Sequence, residues 1–372
     1  MIRRMYRGET TFNFYGRRRI AFFVSAAVIV LSTFSLVSGG LNLGIDFRGG
    51  VAFEIPAGAT MNVEAARSVL GELDVPSSGV KIQTLSSASG ERVRVQLGDQ
   101  DAAIVDEVRS AFAEKAGVDK EEVSVASVSS SWGRSVTTNA IEALVVFFVI
   151  VSLFIAWRFE WRMALAAFAS VIHDIVLTVG IYSLLRLEVT PATVTSFLTI
   201  MGYSLYDTIV IFDKMAENEK RFESTRASYG DVVNASMNGV LMRSLNTSIS
   251  SMLPVVSVLF IGAGLLGVRT LSEFAAALLI GMVFGAYSSI YVAAPLVGML
   301  KERSDKYVAL KGQLSLGADL AHLMATGAPV GRRAAARVRV AGSDAAITAP
   351  EPPATVDAIL SHPPRPRKKT RR

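Results

Sequence analysis

The chain has 372 residues, 51% of them hydrophobic and only 19% charged, with a mean hydropathy of +0.41. That balance excludes an ordinary soluble domain and describes a chain that crosses a membrane several times. With no cysteine, disulfides and thiolate metal sites are excluded, and the three histidines, His173, His322 and His362, are too scattered to suggest a metal centre.

Residues 1–19 form a basic amino end, with Arg3, Arg4, Arg7 and Arg17-Arg18-Arg19 ahead of an apolar run. Positive charge holds such an end in the cytoplasm, and the stretch Ser38 to Gly44 after the run offers no Ala-x-Ala cleavage pattern. Residues 20–38 are therefore expected to be an uncleaved first span. Residues 39–138 turn polar. Val51–Ile55, Val80–Leu85, Arg92–Leu97 and Glu122–Val128 read as strands, while Asn62–Leu73 and Ala102–Ala116 have helical spacing. Ser86-Ser87-Ala88-Ser89-Gly90 suits a hairpin turn, and the order βαββαβ predicts a ferredoxin-like unit.

Residues 139–300 are expected to cross the membrane five more times. Apolar runs cover 140–157, 163–185, 192–212, 238–266 and 271–300, and Trp157-Arg158-Phe159-Glu160-Trp161-Arg162 marks a membrane interface. Pro191 suits the first turn of a helix. Between the fourth and fifth runs, residues 213–237 interleave Lys214, Lys220, Arg221 and Arg226 with Glu217, Glu219 and Glu223, which fits a cytoplasmic loop carrying a surface helix. Gly281 and Gly285 predict close helix packing. Residues 301–372 lose apolar periodicity, end on a run of Pro, Arg and Lys, and are expected to be a disordered basic cytoplasmic tail. The fold class is a polytopic α-helical membrane protein of six transmembrane helices, with an extracytoplasmic ferredoxin-like α/β domain between the first and second. Both termini are then cytoplasmic, and anionic lipid is the expected partner of these basic ends.

The residue that stands out is Asp207, because it places a carboxylate inside the fourth span. A buried acid in a membrane helix costs several kcal/mol and faces a partner, a cavity or an ion path. Tyr203 and Ser204 lie one turn back and Thr208 beside it, so this face is polar enough to hold water. Arg243 falls at a similar depth in the fifth span, roughly 8 Å from the cytoplasmic ends at 1.5 Å per residue. An Asp207–Arg243 pair is therefore expected. Bringing the pair together or apart would move the carboxyl pKa and so act as a proton switch. Arg243, Thr247, Ser250 and Pro254 recur on one face of the fifth span, joined by Asn246 and Ser251, and Tyr206 and Thr208 extend this polar seam. These hydroxyls either line a proton path or glue helices together. Asp174, beside His173 in the third span, is a second ionisable candidate, either a relay or a hydrogen-bonded structural acid.

Several stretches together resemble the SecF family, the smaller of the paired Sec accessory subunits in the resistance-nodulation-division (RND) superfamily. Gly44-Ile45-Asp46-Phe47-Arg48-Gly49-Gly50 matches its Gly-x-Asp-Phe-x-Gly-Gly signature. Gly202 to Val210, Arg243 to Ser248 and Ser288 to Ala293 are similar to its last three spans. Tyr206 stands where that family has Asn, Lys214 and Ala216 replace arginines, and Val128 to Gly133 keeps only the glycine of a Val-Gly-Pro-x-x-Gly stretch. The resemblance implies an RND half-transporter in which Asp207 and Arg243 couple protons. It also implies SecD as heterodimer partner beside the SecYEG channel, a translocating preprotein as substrate, and YajC-like and YidC-like subunits as further companions.

The reading that follows is a proton-motive-force-driven accessory subunit of preprotein export in the cytoplasmic membrane, not an enzyme and without cofactor. No Gly-x-x-x-x-Gly-Lys-Ser/Thr loop is present for nucleotide. The alternatives are an RND-type proton antiporter for a small molecule or lipid, and a structural scaffold of the channel in which Asp207 and Arg243 form a static bridge.

Overall fold

In the computed structural model the described residues are 10–58, 60–75, 80–87, 90–265 and 269–330. They belong to one compact unit that ends at Pro329; the second unit, Val330–Arg372, lies outside the described residues but for Val330.

Among the described residues six helices are long and apolar enough to cross a membrane: Arg18–Gly39, Ser130–Arg158, Trp161–Leu184, Pro191–Arg221, Tyr229–Gly262 and Thr270–Lys301. The first is α1. After it come a two-residue strand β1 (Asn42–Leu43) and a single turn α2 (Ile45–Arg48). The polar region then folds as β2 (Gly50–Pro56), α3 (Val63–Glu72), β3 (Lys81–Ser87), β4 (Gly90–Leu97), α4 (Ala102–Ala116) and β5 (Ser124–Val128). The sheet order β3-β4-β2-β5, antiparallel throughout, is the ferredoxin-like arrangement.

Local chemistry explains these elements. The Asn62 side chain caps α3 by accepting from the Glu64 and Ala65 amides at 3.0 and 2.9 Å, and Gly117 closes α4 in the left-handed conformation. Alternation along β2 and β4 turns Val51, Phe53, Ile55, Val93 and Val95 onto Val69, Leu70, Val108 and Phe112 of the two helices, all buried. The Phe53 and Phe112 rings meet edge to face at 5.5 Å. The hairpin register brings Ser87 opposite Gly90; Ala88 and Ser89 of the expected turn lie outside the described residues.

The membrane helices follow as α5 (Ser130–Arg158), α6 (Trp161–Leu184), α7 (Pro191–Arg221) and α8 (Tyr229–Ser257), the last running on as a π-turn over Val258–Leu265 just after Pro254. Next come α9 (Arg269–Ser288), a π-turn over Ser289–Ala293, and α10 (Ala294–Lys301). Small residues set the closest approaches. A Cβ on Gly281 would lie 2.2 Å from Ile200, and one on Gly180 would lie 2.1 Å from Ser32, so α9 packs on α7 and α6 on α1 at backbone contact.

Three expectations are corrected. The cytoplasmic loop expected over 213–237 shrinks to 222–228, and its surface helix does not form as a separate element. Residues 213–221 prolong α7 because Met215 and Asn218 are buried on one face and Lys214 pairs with Glu217 at 2.8 Å on another. The Ser228 hydroxyl accepts from the Asp231 amide and the Asp231 carboxylate from the Ser228 amide, a capping box that starts α8 earlier than apolarity alone suggests. Within the expected tail over 301–372, residues 305–308 form α11 and 318–326 form α12, where Leu320 and Leu323 are fully buried. The remainder of that tail, 331–372, lies outside the described residues.

At the amino end, residues 10–17 are more than a basic leader. Phe14 and Tyr15 are buried, the Phe12 and Tyr15 amides donate to the Asn238 and Asn234 side chains of α8, and the Tyr15 hydroxyl donates to Glu302 at 2.7 Å. The run Arg186–Thr190, read as a plain loop, contains strand β6 (Glu188–Val189), which pairs in parallel with β1.

Candidate functional site

The site is built on α7, whose 3.6-residue period divides the stretch 203–208 into two faces. Tyr203 and Tyr206 are half exposed, whereas Ser204, Asp207 and Thr208 are buried. The Asp207 carboxylate accepts a hydrogen bond from the Ser244 hydroxyl of α8. Asp207 and Arg243, which could pair by depth, are not joined by a direct ion pair among the described residues; Arg243 is exposed, although its charge acts on the Asp207 carboxyl from a distance. Residue 244, not 243, points at α7, because adjacent residues on a helix are turned by about 100°.

A cavity of ≈ 40 Å³ opens beside Asp207, lined by Ser204, Thr247, Ser248, Ser251, Met282 and Gly285 among others. Most of its exposed wall is apolar, but the Asp207 carboxylate and the hydroxyl-bearing residues Ser204, Thr247, Ser248 and Ser251 line it, and its size suits a few waters, about three at most. Outside it, Thr199, Gly202, Tyr203 and Tyr206 of α7 and Asn246, Thr247, Ser250 and Ser251 of α8 border an open groove of ≈ 600 Å³. The seam expected on α8 thus faces outward, and Ser250 and Thr247 line the groove as predicted residues. Tyr206 lies on the groove wall, and among the described residues its phenol has no hydrogen-bond partner.

Thr208 belongs to a separate, inward network. Its hydroxyl donates to the Ser204 carbonyl at 3.0 Å and lies 2.9 Å from the Ser289 hydroxyl in the π-turn after α9. The Ser204 hydroxyl donates to Asp174 Oδ2 at 2.5 Å, and His173 Nδ1 lies 3.1 Å from Asp174 Oδ1. Asp174 is 1% exposed. Ser204, Ser244 and Ser289 were not among the singled-out candidates. Ser204 stood in view one turn before Asp207, but nothing in composition says which hydroxyl reaches which acid.

A junction joins the sheet domain to α7. Glu188, just before that helix, is buried, accepts from Gln96 at 2.9 Å and pairs with Arg94 at 3.3 Å, both residues of β4. Arg94 also pairs with Glu54 of β2 at 3.1 Å. Burial pushes the Glu188 carboxyl above the usual range, against the Gln96 hydrogen bond and the Lys81 charge; Glu273 and Asp46 add to the rise. The signature glycines seat this junction. Gly50 has φ +123°, and a Cβ there would lie 2.2 Å from the Leu97 carbonyl; Gly49 has φ +78° and would meet Ser130 of α5 at 2.6 Å.

A six-span membrane unit, a ferredoxin-like domain between its first two spans, and a buried carboxylate facing a cavity on the fourth define a multi-pass membrane protein of RND-like architecture. Comparison with known proteins narrows the class. Residues 107–303 match the family model for the C-terminal region of the protein export membrane proteins SecD/SecF, and residues 34–61 match the SecD/SecF GG motif. The protein translocase subunit SecF of Streptomyces coelicolor is 38% identical over 309 residues, which is 83% of this chain and 82% of that one. The SecF subunit of Mycobacterium tuberculosis H37Rv is 39% identical over 81% of this chain and 70% of its own length. The crystal structure of SecDF, a translocon-associated membrane protein from Thermus thermophilus, superposes with a TM-score of 0.69 at 32% identity, covering 80% of this chain and 39% of that longer one. The chain belongs to the SecD/SecF family of protein export membrane proteins.

Proposed function

We propose that this chain is a SecF-type subunit that works with a separate SecD chain to complete preprotein translocation across the cytoplasmic membrane, driven by the proton motive force. The observation that carries this reading is Asp207: a carboxylate buried in a membrane helix, held by one serine, beside a small cavity that shares Tyr203, Tyr206, Thr247 and Ser251 with an open groove. A path for protons needs a titratable group, water-sized space and polar walls at membrane depth, and all three meet here.

The groove supports a partner. Thr199, Tyr203, Tyr206, Asn246 and Ser250 present hydroxyls and amides at membrane depth, where lipid leaves polar groups unsatisfied. The SecDF relative of Thermus thermophilus is matched by this chain over only 41% of that relative's length. SecD is that partner in this proposal, with the groove as its seat, and Arg243, exposed beside the groove, approaches Asp207 only when the two halves move. Asp207 and Arg243 are then the coupling pair and Asp174 an inner companion. The SecYEG channel, the preprotein, and YajC-like and YidC-like subunits complete the assembly. Both termini lie in the cytoplasm, the sheet domain lies outside where it meets the emerging chain, and the protein carries no catalytic activity of its own. One charge crossing 100 mV releases about 2.3 kcal/mol, enough to bias a conformational cycle.

The test is gradient-dependent release of a translocating preprotein from inverted vesicles, comparing the intact chain with Asp207→Asn at matched levels and with the SecD complex assembled. The expected result is loss of the gradient dependence. Full gradient-dependent release by Asp207→Asn overturns the coupling. A scaffold predicts that exchanging Asp207 and Arg243 preserves release, and an antiporter predicts that purified vesicles move a small molecule against protons without any preprotein.

A further inference from the structure

Ser204 stands between two acids. Its hydroxyl donates to Asp174 Oδ2 at 2.5 Å, yet the same residue lines the ≈ 40 Å³ cavity that Asp207, one turn further along α7, also lines. Its backbone is held in place, since the Ser204 carbonyl accepts from both Thr208, at 3.0 Å, and Ser289, at 3.3 Å. The room beside it comes from Gly285, where a Cβ would lie 3.0 Å from that of Ser204.

Beyond Ser204 the interior is built to hold a charge. Asp174 is 1% exposed and His173 5% exposed, with Nδ1 of the ring directed at Asp174 Oδ1. His173 Nε2 and, three residues earlier on the same helix, the Ser170 hydroxyl are buried without a partner among the described residues. Two orphaned polar atoms at i and i+3 lie on one face, the arrangement in which a trapped water satisfies both. The His173 ring stacks on Tyr287 at 6.2 Å, and the Tyr287 hydroxyl lies 3.2 Å from Ser25 of α1. The polar groups in contact with Asp174 are thus His173 and Thr178 on its own helix and Ser204 on α7, with Tyr287 of α9 stacked behind His173 and Asp207 one turn beyond Ser204 on α7.

We propose that Asp174, backed by His173, is a second proton-holding site inside the bundle, and that the Ser204 hydroxyl is the bridge that loads it from Asp207. This rests on proton coupling at Asp207. Protonated Asp207 gives its proton to a cavity water, that water passes one of its own to Ser204 Oγ, and the Ser204 hydroxyl proton goes to Asp174 Oδ2. Asp207 ends ionised and Asp174 neutral, with serine and water unchanged. The Asp207 carboxylate at the cavity is thereby reset while the proton stays on Asp174. A purely structural Asp174 would remain in one protonation state throughout.

The experiment is time-resolved infrared difference spectroscopy after a pH jump on vesicles carrying the full chain with its partner, alongside gradient-driven preprotein release from the same vesicles. Two carboxyl bands are expected, one lost in Asp207→Asn and the other in Asp174→Asn; the latter keeps an acceptor for Ser204 and so keeps the packing. In Ser204→Ala, which only removes an atom at the cavity wall, the Asp207 band persists while the Asp174 band rises slower by on the order of a hundredfold, as for loss of a positioned proton-transfer group. A single band that Asp174→Asn leaves untouched overturns the second site, and an unchanged rate in Ser204→Ala overturns the bridge. If Asp207→Asn leaves gradient-driven release intact, the coupling at Asp207 fails instead, whatever the bands show.

Discussion

At the scale of single residues, the packing of the spans turns on a few positions where a side chain has no room, and others nearby where it has. Gly281 and Gly202 lie within one motif pair of helices, yet a Cβ on Gly281 would lie 2.2 Å from Ile200 whereas one on Gly202 meets nothing within 4 Å. Gly281→Val is expected to destabilise the bundle by about 1–3 kcal/mol through forced displacement of α7 and α9, and Gly202→Ala to leave it unchanged or raise it by up to about 1 kcal/mol. Denaturation midpoints in detergent check both; equal effects would remove the steric account. Tyr15 is a second such position. Its hydroxyl meets Glu302 Oε2 while Oε1 has no partner among the described residues, so Tyr15→Phe leaves a buried carboxyl without a donor and costs about 1–3 kcal/mol.

At the scale of elements, α7 is the member that joins the outer domain to the membrane site. It starts at Pro191, three residues after Glu188 is gripped by Arg94 and Gln96, and it carries Asp207 sixteen residues further along. The buried Glu188 carboxyl has a pKa raised above that of the unfolded chain, so the folded junction binds its proton more tightly than the unfolded one. The sign follows: the junction keeps its full stability below the ordinary glutamate range and loses part of it as pH rises through the raised folded value. Hydrogen exchange of the β1–β6 amides is expected to quicken across that rise in the intact chain and to stay flat in Glu188→Gln, which keeps the shape and removes the titration. A slope that survives in Glu188→Gln would assign the pH dependence elsewhere.

At the scale of the whole molecule, one end of the helix bundle is tied together by segments that carry no span. Residues 10–17 bond to Asn234 and Asn238, Lys301 is buried among Glu160 and Glu219, the Ser315 amide just before α12 donates to Asp231 of α8 at 2.6 Å, and Arg221 at the end of α7 donates to the Met324 carbonyl of α12 at 2.8 Å. Leu320→Ala and Leu323→Ala each remove a fully buried side chain at a cost of about 2–5 kcal/mol. Limited proteolysis near Gly312 and Gly317 is expected to speed up in both while the spans stay intact. An unchanged cleavage rate would mean that this strap contributes no local stability.

The sequence alone was enough for what depends on local pattern and on the cost of polarity in lipid. Apolar length marked six spans, alternation marked the strands of the sheet, and a lone acid in an apolar run marked Asp207, because each signal lies within a few neighbouring residues. It misplaced what depends on long-range complementarity. The start of α8 was hidden behind polar residues that bury against α7, and α12 behind alanines whose leucines find a core only in the folded chain. The partner of Asp207 was assigned to Arg243 by depth, yet rotation about the helix axis decides which residue faces inward, and that rotation is set by how α7, α8 and α9 pack. Only the tertiary structure could bring Glu188 to Arg94, or place Ser204 between two carboxylates, since a hydroxyl's reach is a matter of ångströms that no spacing along the chain encodes.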